Sequence, residues 1–283
     1  MEIRSLATID FDTIFEAFSQ AFADYEMQND KEQLRTMLAR RGFDPGLSFA
    51  AFDGDKIVSF TFNGIGDYYG VRTAYDTGTG TLKEYRGQGL ATRIFECSIP
   101  FLKEAGVKEY LLEVLQHNEG AVSVYRKLGF ETVREFNYFF QDAGTVLREA
   151  PSSDSGCMLR PINISEYASI PGFWDFKPSW QNNFEAINRK PGDFICMGAF
   201  AGDRLAGYCV CEPGSGDITQ LAVDRQYRRR GIASRLFHEM ARANKYGTLK
   251  VVNTDVNCDS ITAFLDAMGV SLKGRQFEMV KKL

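Results

Sequence analysis

A short arginine- and glycine-rich motif occurs twice in this chain, half a chain length apart. Each copy follows a strand-like run and precedes an amphipathic helical pattern. A glycine-rich turn between a strand and a helix presents main-chain N–H groups at a helix N-terminus, where anions bind. The motif therefore predicts a pyrophosphate-type site in each half. Its residues are Arg86, Gly87, Gln88, Gly89, Leu90 and Ala91 in the first copy, and Arg228, Arg229, Arg230, Gly231, Ile232 and Ala233 in the second.

The residue types in the motif suit a phosphate ligand. Gly89 and Gly231 have no Cβ, so the main chain can approach a ligand and adopt unusual φ values. Arg86 and Arg228 add positive charge and hydrogen-bond donors. The motif is not a Walker A loop, because no Gly-Lys-Ser/Thr follows it, and it lacks the third glycine of the dinucleotide fingerprint. A simple capping turn and a solvated basic helix start are the alternatives.

The overall composition is that of an ordinary globular protein, with 44% hydrophobic and 25% charged residues. Lys and Arg number 33 against 37 Asp and Glu, for a formal net charge of −4. Because there is no basic excess, no nucleic-acid partner is expected. No stretch approaches the roughly 18 apolar residues of a membrane helix, and the N-terminus has no apolar signal core. We therefore expect a cytoplasmic protein without a membrane partner.

The cysteine and histidine content predicts no metal site. The six cysteines show no CxxC spacing, and the chain has two histidines. Cys209 and Cys211 lie two residues apart in a strand-like run, so their side chains share a face. Buried free thiols are the expected reading, and a metal or redox pair is the alternative.

The same order of helices and strands is predicted in both halves. Helical periodicity after residue 13 predicts a helix with Asp10 or Asp12 as its N-cap. The sequence Asp53-Gly54-Asp55 predicts a hairpin turn, and long strands over 71–82 and 218–223 lead into the two motifs. Each half is therefore predicted to form a mixed α/β sheet with helices on both faces.

The repeat also predicts the domain organisation. A repeat of this length indicates two copies of one domain rather than a solenoid. We expect domains over residues 1–140 and 156–283, joined by a linker over residues 141–155 that contains Pro151. A domain of about 140 residues can bury its own core.

The pattern Arg-x-x-Gly-x-Ala at 86–91 and 228–233 resembles motif A of the GCN5-related N-acetyltransferases (GNAT), which bind the pyrophosphate of acetyl-CoA there. Residues 118–130 are similar to the family's second motif. Both motifs are intact in the first half, whereas the second motif is degraded in the second half. The resemblance implies two tandem GNAT-like domains, each with a mixed, mostly antiparallel sheet. It also implies direct acetyl transfer from acetyl-CoA to a primary amine in a ternary complex.

The resemblance further implies which residues contact coenzyme A. In the family, the strand before the loop offers main-chain N–H groups to pantetheine and to the thioester carbonyl, where such donors stabilise an oxyanion. Asn118 resembles a residue that contacts coenzyme A, although a helix N-cap is an equally good role for it. The other implied contacts are Thr79, Gly80 and Thr81 in the first half, and Leu221, Ala222, Val223 and Asn257 in the second.

Tyr125 matches the family tyrosine that protonates the leaving thiolate as a general acid. Its alternative role is packing on an amphipathic helix. In the second half, Phe264 or Leu265 takes this place, and neither can donate a proton. The first half is therefore the expected catalytic one. The second half uses another hydroxyl or water, binds coenzyme A without catalysis, or serves as a scaffold.

A general base must accept the proton that the amine loses. Glu113, on the strand next to the central one, is our prediction. Asp76 and the group Asp24, Tyr25 and Glu26 are alternatives, as is a water chain, since amines titrate only a few units above neutral pH. Each of these acids could equally be a solvated or structural charge.

We expect the acceptor to be a small-molecule or peptide amine, and the sequence indicates no particular oligomeric state. Residues 171–180 hold Trp174 and Trp180, which fit either core packing, the favoured reading, or a ligand pocket. The competing functions are an acyl-CoA sensor or scaffold without turnover, and activity in the second half.

Overall fold

The computed structural model of this chain contains two compact α/β units. The first unit comprises residues 1–134 and 277–283, and the second comprises residues 135–276. The two units expected from the repeat are thus confirmed, although their bounds differ from the predicted ones. The structure describes residues 1–24, 29–148 and 156–283.

Three strands, a helix, a strand and a helix follow one another in each unit, over residues 49–127 and 195–267, whereas the segments before them differ. In chain order the strands are β1 (Glu2–Ser5), β2 (Phe49–Asp53), β3 (Lys56–Tyr68), β4 (Val71–Thr81), β5 (Glu109–Leu115), β6 (Glu131–Asp142), β7 (Met158–Pro161), β8 (Ile195–Ala201), β9 (Arg204–Glu212), β10 (Asp217–Val223), β11 (Thr248–Asp255) and β12 (Ser271–Lys282). The helices are α1 (Phe11–Ala21), α2 (Lys31–Arg40), α3 (Leu90–Glu104), α4 (Glu119–Lys127), α5 (Ala143–Leu147), α6 (Phe184–Arg189), α7 (Ile232–Ala243) and α8 (Asp259–Ala267).

The sheet of the first unit has the strand order β1-β2-β3-β4-β5, and the end of β12 lies beside β5. Strands β1 to β4 pair antiparallel, and β4 pairs parallel with β5. Glu278 of β12 is 2% exposed. Its two carboxylate oxygens accept hydrogen bonds from Arg134 Nε and Nη2 at 2.6 and 2.7 Å. The last residues of the chain therefore complete the first unit.

The second unit has the strand order β6-β11-β10-β9-β8-β7. Residues of β6 pair antiparallel with β11, from Phe136 opposite Asp255 to Asp142 opposite Thr248. The predicted linker over residues 141–155 is corrected accordingly. Its first two residues end β6, α5 follows, and residues 149–155 lie outside the described part. Ladder pairing between residues so far apart in sequence leaves no local signal, which is why the predicted bounds differ.

Both central strands contain a bulge before the motif. Thr77 is an extra residue in β4 opposite β3, and Thr219 is the matching extra residue in β10 opposite β9. Residues three apart point to opposite faces of a regular strand, but a bulge changes this alternation. As a result, Asp76 and Thr79 share a face and their side chains are hydrogen-bonded.

Helices cover both faces of the first sheet, as predicted. Tyr125 of α4 and Phe95 of α3 pack with Ala74 and Tyr110 on one face. Phe18 of α1 lies on the other face, where a Cβ added at Gly78 would stand 3.8 Å from its ring. Full burial of an aromatic or aliphatic side chain contributes about 1.5–3 kcal/mol, so these two layers hold the sheet in place.

The second sheet is also covered on both faces. Cys209 and Cys211 pack in one cluster with α7 and α8, whereas Tyr208 and Val210 pack with the irregular segment between β7 and β8. Within the described residues neither cysteine forms a disulfide, both are buried, and burial raises the pKa of Cys209. Among the described residues, no helix is both long and apolar enough to cross a membrane.

Candidate active site

The loop between β4 and α3 has a conformation that needs glycine. Gly87 and Gly89 have φ values of 77° and 71°, and Gly89 immediately precedes α3. A Cβ at either glycine would have no described atom within 4 Å, so the space above the loop is open. Within the described residues no side chain caps α3. Its first N–H groups are therefore available to an anion, which fits a pyrophosphate.

The loop between β10 and α7 repeats this conformation. Arg229 and Gly231 have φ values of 63° and 76°, at the positions of Gly87 and Gly89. A non-glycine residue in the left-handed region costs roughly 1–2 kcal/mol. The second loop therefore keeps the shape of the first even where the residue disfavours it. Such strain concentrates at functional sites.

The motif arginines brace the two loops in the same way. Arg86 Nε donates to the Thr81 carbonyl at 3.1 Å, and its Nη2 donates to the Ala21 carbonyl at 3.0 Å. Arg228 Nε donates to the Val223 carbonyl at 2.9 Å, and its Nη2 donates to the Phe173 carbonyl at 3.2 Å. Each guanidinium thus ties its loop to the preceding strand and to an earlier segment. These bonds direct each guanidinium toward protein carbonyls, and they hold the main chain of the loop in place.

The remaining motif residues anchor or flank the loops. Leu90 and Ile232 are buried, and they fix the start of each helix in its core. Gln88 Nε2 donates to the Glu84 carbonyl at 3.5 Å, and Arg230 Nη2 donates to the Gln226 carbonyl at 3.1 Å. Ala91 and Ala233 are half-buried at the second position of each helix.

On β4, before the first loop, two side-chain hydroxyls and one main-chain N–H donate to the carboxylate of Asp76. Asp76 Oδ2 accepts hydrogen bonds from the Tyr125 hydroxyl at 3.2 Å and from Thr79 Oγ1 at 2.9 Å, and Asp76 Oδ1 accepts from the Gly78 N–H at 2.9 Å. Asp76 and Tyr125 are each 9% exposed. Burial raises the pKa of Asp76 to about 6, although these hydrogen bonds act in the opposite direction. We call Asp76, Thr79 and Tyr125 the polar triad.

The polar triad lies where β4 leaves its parallel neighbour. The register of β4 with β5 runs from Thr73 opposite Glu109 to Tyr75 opposite Leu111, and residues 76–81 of β4 lie beyond it. This end of β4, including Thr79, Gly80 and Thr81, leads directly into the loop. The polar triad therefore includes two residues of the part of β4 that continues into the loop, past its pairing with β5.

Asn118 is the N-cap of α4, which is one of the two roles predicted for it. Its Oδ1 accepts a hydrogen bond from the Ala121 N–H at 3.2 Å, at the N-terminus of α4. In the second unit the N-cap of α8 is Cys258, and Asn257 precedes it. Asn257 donates to Asp255 instead and is exposed. The predicted match of Asn118 with Asn257 is therefore off by one residue, because Cys258 holds the N-cap position in the second unit.

The second unit replaces all three members of the polar triad with aliphatic residues. Counting from the bulges, Ile218 takes the place of Asp76 and Leu221 that of Thr79. Counting from the helix N-caps, Leu265 takes the place of Tyr125. The sequence allowed either Phe264 or Leu265 at the position of Tyr125. The N-caps show that this position is Leu265.

Glu113 lies on the other face of the sheet from Tyr125. Its neighbours Leu112 and Val114 pack in the cluster of Tyr125, so Glu113 points away from that cluster. Its Oε2 accepts a hydrogen bond from the Tyr75 hydroxyl at 3.1 Å. Burial, together with the Glu113 charge, raises the pKa of Tyr75 well above its ordinary value.

Of the candidate bases Asp24 and Glu26 near Tyr25, Asp24 lies at the first loop. Asp24 Oδ2 lies 3.5 Å from Arg86 Nη1. Tyr25 and Glu26 lie outside the described residues.

The second unit contains a cavity of about 570 Å³, which we call the second cleft. It extends from the loop residues Arg229 and Gly231 past β10 and β11 to Leu265 of α8 and to Trp174. Trp174 Nε1 donates to the Tyr208 hydroxyl at 2.7 Å, and that hydroxyl donates to Gln220 Oε1 at 2.6 Å.

The two tryptophans differ in role. Trp180 is fully buried, in line with the favoured core reading, whereas Trp174 lines the second cleft. The sequence did not reveal the polar triad, because residues three apart predict opposite faces of a strand. The contact of Trp174 with Tyr208 had no sequence signal, since the two residues are distant in the chain.

Two segments of the chain match one protein family. The model of the Acetyltransferase (GNAT) family matches residues 11–130 and again residues 160–269. The chain is 36% identical over 87 residues to N-alpha-acetyltransferase 30 of Schizosaccharomyces pombe, covering 30% of this chain and 58% of that protein. It is 31% identical over 140 residues to a mycothiol acetyltransferase of Catenulispora acidiphila, covering 47% of this chain and 44% of that protein. The chain thus spans about half the length of these curated relatives.

Solved structures with the same fold cover nearly the whole chain. A tandem GNAT protein from the clavulanic acid biosynthesis pathway has a TM-score of 0.75 at 14% identity, covering 99% of this chain and 98% of that one. A GCN5-related N-acetyltransferase from Sphaerobacter thermophilus has a TM-score of 0.73 at 15% identity, covering 99% and 95%. The two loops, the two sheets and the double family match agree, and this chain belongs to the acetyltransferase (GNAT) family, whose domain it contains twice.

Proposed function

We propose that this protein is an acetyl-CoA-dependent N-acetyltransferase that moves an acetyl group directly to a primary amine, and that the first unit is the catalytic one. The polar triad is the observation that carries this proposal. It places a tyrosine hydroxyl and a threonine hydroxyl on one carboxylate, at the strand end that leads into the loop. The aliphatic replacements in the second unit leave no such hydroxyl at Leu265.

The first loop would hold the diphosphate of acetyl-CoA through main-chain N–H groups of residues 86–91. Gly87 and Gly89 permit the conformation that aims these groups outward. The main chain of residues 79–81 would then face the pantetheine arm and the thioester carbonyl. N–H donors fixed in this way stabilise negative charge that develops on the carbonyl oxygen.

The acid and the base lie on opposite faces of the sheet. The amine nitrogen attacks the thioester carbon, a C–N bond forms, and the C–S bond breaks. Tyr125 gives its proton to the leaving sulfur from the face that holds the polar triad. Glu113 accepts the proton that the amine nitrogen loses, from the other face, and releases it to solvent. Such a division keeps the two proton transfers from competing for one group.

The acceptor class is an amine, with a peptide N-terminus and a small molecule as the two arms of the test. The curated relatives reported above are an N-alpha-acetyltransferase of Schizosaccharomyces pombe and a mycothiol acetyltransferase of Catenulispora acidiphila. These names favour a panel that contains short peptides with free N-termini and small amines such as polyamines and amino sugars.

The test is thiol release from acetyl-CoA over this amine panel, with the wild-type protein and Tyr125→Phe. General acid catalysis contributes about 10²- to 10⁴-fold, so Tyr125→Phe should lower kcat by that order for any accepted amine. Calorimetry should show acetyl-CoA affinity unchanged in Tyr125→Phe. Unchanged turnover in that variant would remove Tyr125 from the reaction. Absence of both turnover and binding heat in the wild type would refute the proposal.

A further inference from the structure

The second cleft combines a loop for an anion with an uncharged interior. Among the residues that line it, the charged ones are Asp175, Arg228 and Arg229. Asp175 lies at the loop, where its Oδ2 is 2.9 Å from Arg228 Nη1. The rest of the lining carries no formal charge. The cleft therefore suits a ligand with an anionic end and an uncharged body.

A buried hydroxyl in the second cleft has no partner within the described residues. Thr254 is 4% exposed and lines the cleft, and no described atom is hydrogen-bonded to its Oγ1. An unsatisfied buried polar group costs about 1–3 kcal/mol, so such groups in a native fold call for a ligand or another explanation.

Strained main chain also concentrates around this cleft. Three non-glycine residues among those described have positive φ, and two of them, Arg229 and Asn253, line the cleft. Asn253 is held in place by Ser179 Oγ, to which its Nδ2 donates at 2.8 Å, and by Gln276. Main-chain strain maintained by its surroundings is typical of a binding site.

The inner wall of the cleft is apolar at the positions of the polar triad. Ile218, Leu221 and Leu265 all line the cleft, where the first unit has a carboxylate and two hydroxyls. Phe237 and Val251 extend the same surface. The polar groups of Tyr208 and Gln220 are bonded to each other, so they do not disturb this wall. Ile218, Leu265 and Phe237 are buried behind this wall, and their side chains carry no proton donor or acceptor. The half-buried Leu221, Ile261 and Phe264 also line the cleft, and they offer apolar surface to a hydrocarbon chain.

We propose that the second cleft binds a coenzyme A thioester whose acyl group is longer than acetyl, and that it holds this thioester without transferring the acyl group. This inference uses from the proposed function only the binding of coenzyme A by the loop. Each methylene buried against the wall strengthens binding about fourfold. Hexanoyl-CoA should therefore bind the second cleft on the order of 100-fold more tightly than acetyl-CoA.

Matched variants of the full chain separate the two sites. Gly89→Asp and Gly231→Asp each put a carboxylate into one loop, at a φ that Asp tolerates better than most residues. Isothermal titration of Gly89→Asp with coenzyme A, acetyl-CoA and hexanoyl-CoA then reports the second cleft. The same series on Gly231→Asp reports the first unit, where we expect no preference for hexanoyl-CoA. Thermal unfolding checks that both variants fold.

The outcomes distinguish this inference from the proposed function. A strong preference of Gly89→Asp for hexanoyl-CoA, reduced in Gly89→Asp with Leu265→Tyr, supports the inference. Equal affinities for acetyl-CoA and hexanoyl-CoA overturn the acyl selectivity. If Gly89→Asp binds none of the three ligands while Gly231→Asp binds acetyl-CoA, the second cleft is not a coenzyme A site and the first-unit proposal stands. Amine-dependent thiol release from hexanoyl-CoA by Gly89→Asp contradicts binding without transfer.

Discussion

The hydroxyl of Tyr125 donates to Asp76 Oδ2 at 3.2 Å, and so helix α4 is joined to the bulged strand β4 by a hydrogen bond between buried groups. Thr79 donates to the same oxygen, two residues past the bulge. An ionised carboxylate accepts both bonds at once, whereas a protonated one loses acceptor capacity. The position of Tyr125 relative to the strand therefore depends on the charge of Asp76.

The first prediction concerns stability and pH. Burial raises the pKa of Asp76 from 3.8 to about 6, so the folded state binds this proton more tightly than the unfolded state does. The contribution of Asp76 to stability is thus full below pH 3.8 and is lost as the pH rises through 6. Between pH 4 and 7 the free energy of unfolding of Asp76→Asn should rise by about 2.4 kcal/mol relative to that of the wild type. Urea unfolding at several pH values measures this difference, and a constant difference would contradict it.

The second prediction concerns turnover and pH. If ionised Asp76 positions Tyr125, the wild-type kcat should fall as the pH decreases through about 6. Asp76→Asn should have a lower kcat without this decrease. In a double-mutant cycle, Asp76→Asn should lower kcat only slightly when Tyr125→Phe is already present, because the two residues act together. Rates of thiol release between pH 5 and 8 test both points. The same inflection in Asp76→Asn would assign it to another group.

The third prediction separates the shape of the first loop from its charge. Arg86→Lys keeps a positive charge but cannot reproduce the forked donation to the Thr81 and Ala21 carbonyls. Hydrogen bonds from charged groups contribute about 1.5–3 kcal/mol, so acetyl-CoA affinity should fall roughly tenfold or more. The control is Lys83→Met, which removes a nearby exposed charge and no brace. If calorimetry showed an equal or larger loss of acetyl-CoA affinity in Lys83→Met, positive charge near the loop would matter more than the hydrogen bonds of Arg86.

The fourth prediction concerns the end of the chain. Glu278 and Arg134 form an ion pair in which the Glu278 side chain is 3% exposed. Loss of one partner leaves a buried charge, so Glu278→Gln should lower the stability of the first unit by about 3 kcal/mol. Glu2→Gln, in an exposed pair with Arg4 at 3.9 Å, is the control and should change stability by about 0.5 kcal/mol or less. Thermal unfolding compares the two. Similar midpoints for both variants would contradict the structural role of Glu278.

Features with local causes were predictable from the sequence. Asp10 caps α1 by accepting from the Thr13 N–H at 2.9 Å, which its residue type and position indicated. The glycine turns precede α3 and α7, as the motif predicted, because positive φ and helix starts depend on a few neighbouring residues. The extra turn over Lys83–Tyr85 was not predicted, since three residues give too short a pattern.

Features that depend on distant residues were not predictable in this way. The bulge at Thr77 is a mismatch between β4 and β3, so it is defined only once the strands pair. The polar triad depends on that bulge. Spacing in a single sequence cannot register such insertions.

The exchange of strand segments has a consequence for dissecting this protein. A fragment that ends at residue 140 lacks residues 277–283 and would present β5 as a bare edge. A fragment over residues 156–283 lacks β6 and would bare β11 in the same way. Unpaired edges promote aggregation. Neither half of the chain therefore retains a complete sheet, and the first half with residues 277–283 fused behind it is the appropriate fragment for studying that unit alone.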